Sequence, residues 1–172
     1  RRVHRLYHLC QEEINEKPKL TCIIPFQNEG CEIERTVANI RATVGNKVEI
    51  MLINDKSYDG YDYEWIANAY GCKYFVNQKN LGVAGSRNYG VSLTETPYFL
   101  LLDGHMRFYE DNWHTKLIRA LETNPGCLVS SNTTIITKDE ETGDVTNTTV
   151  EITGTVVDGT VTIIVPGEVL LV

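Results

Sequence analysis

The sequence contains short runs of apolar residues, and segments with helical spacing lie between them. The runs are LTCIIPF (Leu20–Phe26), VEIMLIND (Val48–Asp55), CKYFVN (Cys72–Asn77) and YFLLL (Tyr98–Leu102). Continuous apolar runs of this length are typical of strands that are buried on both faces. Because such strands alternate here with helical patterns, the chain is predicted to be an α/β protein with a doubly wound, mostly parallel sheet.

The intervening helices are predicted from apolar residues that recur every three or four positions. The patterns are a leading helix from His4 to Glu16, a helix with Ile33, Val37, Ile40 and Val44 that ends at Gly45, a helix with Trp65, Ile66, Ala69 and Tyr70 that stops at Gly71, the small-residue segment GVAGSRNYGVSL, and a helix from Trp113 to the Asn124-Pro125-Gly126 turn.

Beyond Leu128 the chain becomes rich in Thr and Val, and polar and apolar residues alternate. Hairpin-like breaks fall at Glu141–Asp144 and at Asp158–Gly159. This pattern predicts antiparallel strands. We therefore expect a leading helical segment at 1–18, an α/β core at 19–128 and a β-rich segment at 129–172.

Charge and cysteine content narrow the class of ligand and the compartment. The net charge of −7 argues against a nucleic-acid partner and means that a phosphate ligand would need a bridging cation. The five cysteines show no CxxC spacing, so reduced, buried thiols are expected. No apolar run reaches the length of a transmembrane segment. Together these features favour the cytoplasm, with the Golgi lumen as the alternative if a removed N-terminal region carried an anchor.

Polar residues follow three of the apolar runs, where ligands bind in doubly wound sheets. Gln27-Asn28-Glu29 follows the first run, Asn54-Asp55 ends the second, and Asp103-Gly104-His105 follows the fourth. Asp103 and His105 would lie on the same side of an extended chain and could hold one cation together. The alternative is that these residues only form turns and helix caps.

Four motifs in this order resemble those of family 2 glycosyltransferases, which have the Rossmann-like GT-A fold. IIPFQNEG resembles the opening strand of that family, and INDKSYDG resembles its DDxSxDG segment, with Asn54 in place of the first aspartate and Lys56 in place of a glycine. NLGVAGSRNYG follows the NxGxxxAxNxG pattern, and LLLDGH occupies the place of the DxD motif as DxH. The resemblance covers about Leu20 to Leu128.

The resemblance implies a metal-dependent transfer of a sugar from a nucleotide diphosphate donor to a saccharide, lipid or protein acceptor. UDP is favoured because the Asp55 carboxylate is suited to accept a hydrogen bond from the N3–H of uracil. Asp103 and His105 are the expected metal ligands, and the imidazole favours Mn²⁺ over Mg²⁺. A DxH motif followed by a tryptophan, here Trp113, is also similar to the polypeptide N-acetylgalactosaminyltransferases. The expected nucleotide-binding residues are Pro25, Gln27, Glu29, Asp55, Asn80, Gly82, Arg87, Asn88 and Asp103.

Two other functions remain open at this point. The chain could be a donor-binding module without acceptor-side catalysis, because every recognisable motif precedes Leu128. It could also be a nucleotidyltransferase on a related fold, although QNEGCE is not the Gly-rich, basic loop that such enzymes need after the first strand. No catalytic base is assigned, because Glu140, Glu141 and Asp144 lie in a charged turn that is expected to face solvent.

Overall fold

A computed structural model describes residues 17–126 and the backbone of five strand segments between residues 133 and 171. The predicted leading helix His4–Glu16 and the predicted turns at 141–144 and 158–159 lie outside the described residues. Among the described residues, no helix combines the length and the apolar character needed to cross a membrane.

A parallel sheet of four strands forms the centre of the described N-terminal unit, with the strand order β3-β2-β1-β4. Neighbouring strands run parallel, and Ile23 of the central strand pairs with Met51 on one side and Leu101 on the other. This arrangement confirms the predicted α/β fold. The strands are β1 (Leu20–Phe26), β2 (Glu49–Asn54), β3 (Lys73–Val76) and β4 (Tyr98–Leu101), and the helices are α1 (Cys31–Val44), α2 (Tyr63–Tyr70), α3 (Gly82–Ser92) and α4 (Trp113–Thr123).

Apolar residues on both faces of the sheet are buried, because successive side chains of a strand point to opposite faces. Cys22 and Ile24 of β1 belong to a core that also contains Ile33 of α1 and Ile66 of α2. Ile23 belongs to a second, smaller core with Met51, Ile53 and Val91 of α3. Helices therefore cover both faces, as a doubly wound sheet requires.

Two expectations about burial are wrong. Phe99 of β4 is 42% exposed, because β4 lies at the edge of the described sheet and pairs only with β1. Trp65 of α2 is 57% exposed, although it was expected to lie on the apolar face of its helix. The buried face of α2 is formed instead by Tyr63, Ile66 and Ala67, with the Tyr63 ring 4.6 Å from the ring of Phe26.

The described segments between residues 133 and 171 are antiparallel strands, as the alternating Thr/Val pattern predicted. β5 (Thr133–Lys138) pairs with β6 (Val145–Val150). β7 (Thr153–Val157), β8 (Thr160–Val165) and β9 (Glu168–Leu171) form a separate three-stranded sheet. The chain divides into compact units at residues 1–118 and 119–172. The predicted domain limits at 18/19 and 128/129 stay a prediction.

Gly90 allows α3 to lie directly on the central strands, and we expect Gly90→Ala to destabilise the fold. A Cβ at this position would overlap Cγ2 of the fully buried Ile23 and would lie 3.4 Å from Cγ1 of Ile53. Overpacking of this kind should lower the free energy of unfolding by about 1–3 kcal/mol in urea denaturation.

Ser92→Ala at the exposed end of the same helix is the matched control and should change the free energy of unfolding by no more than about 0.5 kcal/mol. Equal stability of Gly90→Ala and the wild type would show that α3 does not pack on β1 at this distance.

Candidate functional site

The loops that follow β1 and β2 are joined by hydrogen bonds at the carboxyl edge of the sheet. The Asn28 backbone N–H donates to Ser57 Oγ at 3.0 Å, and the Tyr58 backbone N–H donates to Asn28 Oδ1 at 2.8 Å. The Gln27 side-chain amide donates to the Asp55 carbonyl oxygen at 2.8 Å. Gln27, a predicted nucleotide-binding residue, therefore has a structural contact that ties β1 to β2.

Asp55 is buried and holds the turn that leads into α3. Its Oδ1 accepts hydrogen bonds from Asn77 Nδ2 at 2.7 Å and from the Leu81 backbone N–H at 2.8 Å. Its Oδ2 accepts from the Gly82 backbone N–H at 2.8 Å. Burial opposes ionisation of Asp55, but these hydrogen bonds outweigh it and lower the pKa of the carboxyl below its usual value. The carboxylate is thus ionised and positions the first turn of α3.

Asn77 contributes to this arrangement, although sequence reasoning did not select it. It is buried, and its Nδ2 also donates to Ser86 Oγ of α3 at 2.9 Å. The sequence did contain an indication of its role, because Asn77 directly follows β3 as Asp55 directly follows β2.

Asn54 replaces an aspartate of the family pattern, and its amide accepts from the Ser57 N–H and donates to the Tyr74 hydroxyl. An aspartate could also make both contacts, with the Tyr74 hydroxyl as the donor instead of the acceptor.

The other predicted residues near the start of α3 differ in exposure. Asn80 Oδ1 accepts from the Gly82 N–H at 3.0 Å, and both residues are exposed. Asn88 is exposed, whereas the Arg87 side chain is 22% exposed. Pro25 is buried within β1, where it pairs with Ile53. The predicted nucleotide-binding roles of these residues stay predictions.

Asp103 and His105 contact two different elements. Asp103 Oδ1 accepts from the Arg87 guanidinium at 2.9 Å. His105 Nδ1 lies 3.5 Å from Glu29 Oε2 in the loop after β1. Gly104 and His105 form a turn, so the chain between the two predicted metal ligands is not extended as expected, and their shared role in holding a cation stays a prediction. The structure brings Glu29 to His105 and Arg87 to Asp103.

The Gly104 turn packs closely against α1 and the loop after β1. A Cβ at Gly104 would lie 2.9 Å from Cδ1 of Ile33 and 3.1 Å from Cγ of Glu29. A larger residue at this position would therefore require the Ile33 or Glu29 side chain, or the turn itself, to shift.

The side chains available for a divalent cation are the carboxylates of Asp103 and Glu29 and the imidazole of His105. Within residues 17–126 and the described strands, no group of three His, Cys, Asp or Glu residues forms a complete metal site. Cations that bind together with a phosphate ligand commonly take only one or two protein ligands. Asp103 and His105 could therefore supply the protein ligands of a divalent cation whose remaining ligands came from outside the chain.

We expect Asp55→Asn to destabilise the protein in a pH-dependent way. The substitution places an amide N–H against the backbone N–H donors of Leu81 or Gly82 and should cost about 1–3 kcal/mol at pH 7. Because the pKa of Asp55 is lowered in the folded state, its stabilising effect is present above the unfolded pKa of about 3.9 and is lost as the pH falls through the folded value.

Urea denaturation of both proteins between pH 7 and about pH 3 checks this expectation, with Asp111→Asn, an exposed carboxylate, as the control. A stability difference that stays constant down to the lowest pH would contradict the role assigned to the ionised Asp55.

Comparisons with known proteins agree with this architecture. The model of the family described as Glycosyl transferase family 2 matches residues 21–163, which is more than half of the chain. A cholesterol galactosyltransferase of Borreliella burgdorferi is 35% identical over 96 residues, covering 54% of this chain and 26% of the relative. An uncharacterized glycosyltransferase, YibD, of Escherichia coli K12 is 28% identical over 113 residues, covering 63% of this chain and 32% of the relative.

A solved structure shares the fold at low sequence identity. It is a mannosyltransferase of Pyrobaculum calidifontis in complex with GDP-Man and Mn²⁺, with a TM-score of 0.55 and 17% identity, and the match covers 64% of this chain and 34% of that one. The chain thus spans about a quarter to a third of the length of these three proteins. From the family match and the parallel sheet together, we conclude that this chain belongs to glycosyl transferase family 2.

Proposed function

We propose that this chain forms the donor-binding part of a metal-dependent glycosyltransferase. The observation that carries the proposal is the Arg87–Asp103 contact of 2.9 Å at the carboxyl edge of the sheet. A guanidinium and a partly exposed carboxylate that lie side by side offer one group for phosphate and one for a cation. In a nucleotide diphosphate sugar with its divalent cation, the negative diphosphate would pair with the guanidinium and the positive cation with the carboxylate.

The nucleoside is proposed to lie near Asp55. Its two oxygens accept hydrogen bonds from Asn77, Leu81 and Gly82, and the Ser86 side chain also hydrogen-bonds to this carboxyl. An incoming base would therefore add to these donors or replace one of them. The N3–H of uracil is a suitable donor to a carboxylate, which is the basis of the proposed preference for UDP.

The diphosphate is proposed to contact Arg87. Helix N-termini attract phosphate groups, but at α3 the Asp55 carboxylate already accepts hydrogen bonds from the N–H groups of Leu81 and Gly82. The partial positive charge at the N-terminus of this helix is therefore largely compensated by the carboxylate. Charge for the diphosphate must come from the guanidinium of Arg87 and from a cation.

Asp103 and His105 are proposed to hold the cation, with Glu29 next to His105. When bound, such a cation neutralises the negative charge of a leaving nucleoside diphosphate. Mn²⁺ is proposed over Mg²⁺ because of the imidazole, and the Pyrobaculum neighbour contains Mn²⁺ with its sugar nucleotide. The DxH sequence supports testing N-acetylhexosamine donors beside hexose donors. The acceptor and a catalytic base stay unassigned.

We predict that UDP-sugars stabilise the protein only when a divalent cation is present. At a ligand concentration one hundred times the dissociation constant, the gain should be about 2.7 kcal/mol, measured as a shift of the thermal unfolding midpoint with Mn²⁺ and with excess chelator. His105→Ala should lose most of the metal-dependent gain, because it removes a proposed metal ligand, and should leave the fold intact, because the exposed imidazole does not contribute to the core.

Glu110→Gln is the matched control, because Glu110 is an exposed carboxylate in the same segment, paired with Lys116. It should retain the full gain. Equal stabilisation by UDP-sugars in excess chelator would remove the proposed role of the cation.

We predict that UDP binds more tightly than CDP or GDP. Cytosine has no N3–H to donate to Asp55, and an unpaired polar contact costs roughly 1–3 kcal/mol, or about 5- to 150-fold in affinity. Titration calorimetry with the three nucleoside diphosphates, each with Mn²⁺, measures the difference. Equal affinity for UDP and CDP would show that the base does not reach Asp55.

A further inference from the structure

Helix α1 carries a row of polar residues with no counterpart in the motifs discussed above. Glu32, Thr36, Asn39 and Thr43 are separated by four, three and four positions, so they lie along one side of the helix. We call these four residues the α1 polar row. Thr36 is fully buried, which is unusual for a polar residue unless its hydroxyl has hydrogen-bond partners.

The partners of the row lie in the segment that follows β4. The Thr36 hydroxyl donates to the Gly104 carbonyl oxygen at 2.5 Å and accepts from the Arg107 guanidinium at 2.8 Å. The same guanidinium donates to Glu32 Oε2 at 2.6 Å. Thr36 thus has both a donor and an acceptor role, which fixes the orientation of its hydroxyl.

The second half of the row continues along this segment. Asn39 makes two hydrogen bonds to the Phe108 backbone, donating to its carbonyl oxygen at 3.1 Å and accepting from its N–H at 2.6 Å. Thr43 accepts from Trp113 Nε1 at 3.0 Å, and the Trp113 ring stacks on Phe108 with centroids 3.8 Å apart. The row therefore contacts the segment from Gly104 to Trp113 at four of its residues, Gly104, Arg107, Phe108 and Trp113.

These contacts replace the regular backbone pairing that this segment lacks. Residues 102–112 contain only turns, bends and irregular backbone. The Leu102 N–H donates to the Ile23 carbonyl oxygen at 3.0 Å and the Asn112 N–H to the Thr43 carbonyl oxygen at 3.1 Å, so backbone hydrogen bonds hold the two ends of the segment, but no strand ladder or helix includes its middle. Gly104 lies between Asp103 and His105, and its carbonyl belongs to the peptide that leads into His105. A hydrogen bond from a buried hydroxyl to that carbonyl limits rotation of the peptide.

We propose that Thr36 and Asn39 are positioning residues that set the geometry of Asp103 and His105 for cation binding. This inference rests on the proposed function, because it concerns the residues expected to hold the cation. Thr36 acts on the peptide between the two residues, and Asn39 fixes Phe108, three positions beyond His105. Neither side chain would touch the cation.

Thr36→Val tests the proposal, because valine keeps the shape of threonine and removes the hydroxyl. Mn²⁺ binding is measured by the loss of the electron paramagnetic resonance signal of free Mn²⁺, with and without UDP. We expect about a 10-fold weaker Mn²⁺ affinity in the presence of UDP, as for the loss of groups that orient metal ligands. Thr36→Ser keeps the hydroxyl and should restore most of the affinity.

Thr43→Val is the matched control on the same row. It removes the acceptor of Trp113 Nε1, which is eight positions beyond His105, and should lower the unfolding midpoint without weakening Mn²⁺ binding. Asn39→Ala is the second variant, since Asn39 is only partly buried and its loss spares the core if Thr36→Val does not fold. It should also weaken Mn²⁺ binding.

The outcomes separate this inference from the proposed function. If the wild type with UDP binds no Mn²⁺, the proposed function is wrong, and the inference fails with it. If the wild type binds Mn²⁺ and the folded variants at Thr36 or Asn39 bind it equally well, the inference alone is overturned. An equal loss of affinity in Thr43→Val would also overturn it, because the effect would then be a general loosening of the fold.

Discussion

The carboxylate of Asp55 joins the end of β2 to the end of β3 and to the start of α3. Its hydrogen bonds from Asn77, Leu81 and Gly82 compensate the cost of burying a charge, which is otherwise large. Gly90 then allows α3 to lie close to Ile23 and Ile53. Because Arg87 lies on this helix, the position of its guanidinium next to Asp103 depends on the same carboxylate.

Much of the fold could be predicted from local sequence pattern, because the buried face of each helix or strand requires apolar residues at a characteristic spacing. The limits of β1 and the end of α1 at Gly45 match their apolar spacing. The strand order could not be predicted in the same way, since it depends on pairing between distant segments. The exposed Phe99 follows from that order, because a central strand and an edge strand have similar apolar runs.

Within the candidate site, sequence position placed Glu29, Asp55, Asp103 and His105 after the ends of strands, but it did not identify their partners. Asp103 and His105 are separated by a turn that Gly104 permits, and their contacts come from Arg87 and Glu29 on other elements. The α1 polar row was also missed, because Thr36 and the Gly104 carbonyl are 68 positions apart. A polar row on a helix that also has an apolar face is usually solvent-exposed, so its spacing alone gives no sign of such a partner.

The ion pair between Arg87 and Asp103 means that the Asp103 carboxylate already has a cationic partner before any ligand arrives. A cation that approached Oδ1 of Asp103 would have to share this oxygen with the guanidinium or displace it. Its affinity would then be the free energy of binding to the carboxylate minus that of the lost ion pair. Under the proposed function, a diphosphate that arrived with the cation would provide new acceptors for the displaced guanidinium, so that the two ligands would favour each other's binding through an exchange of partners.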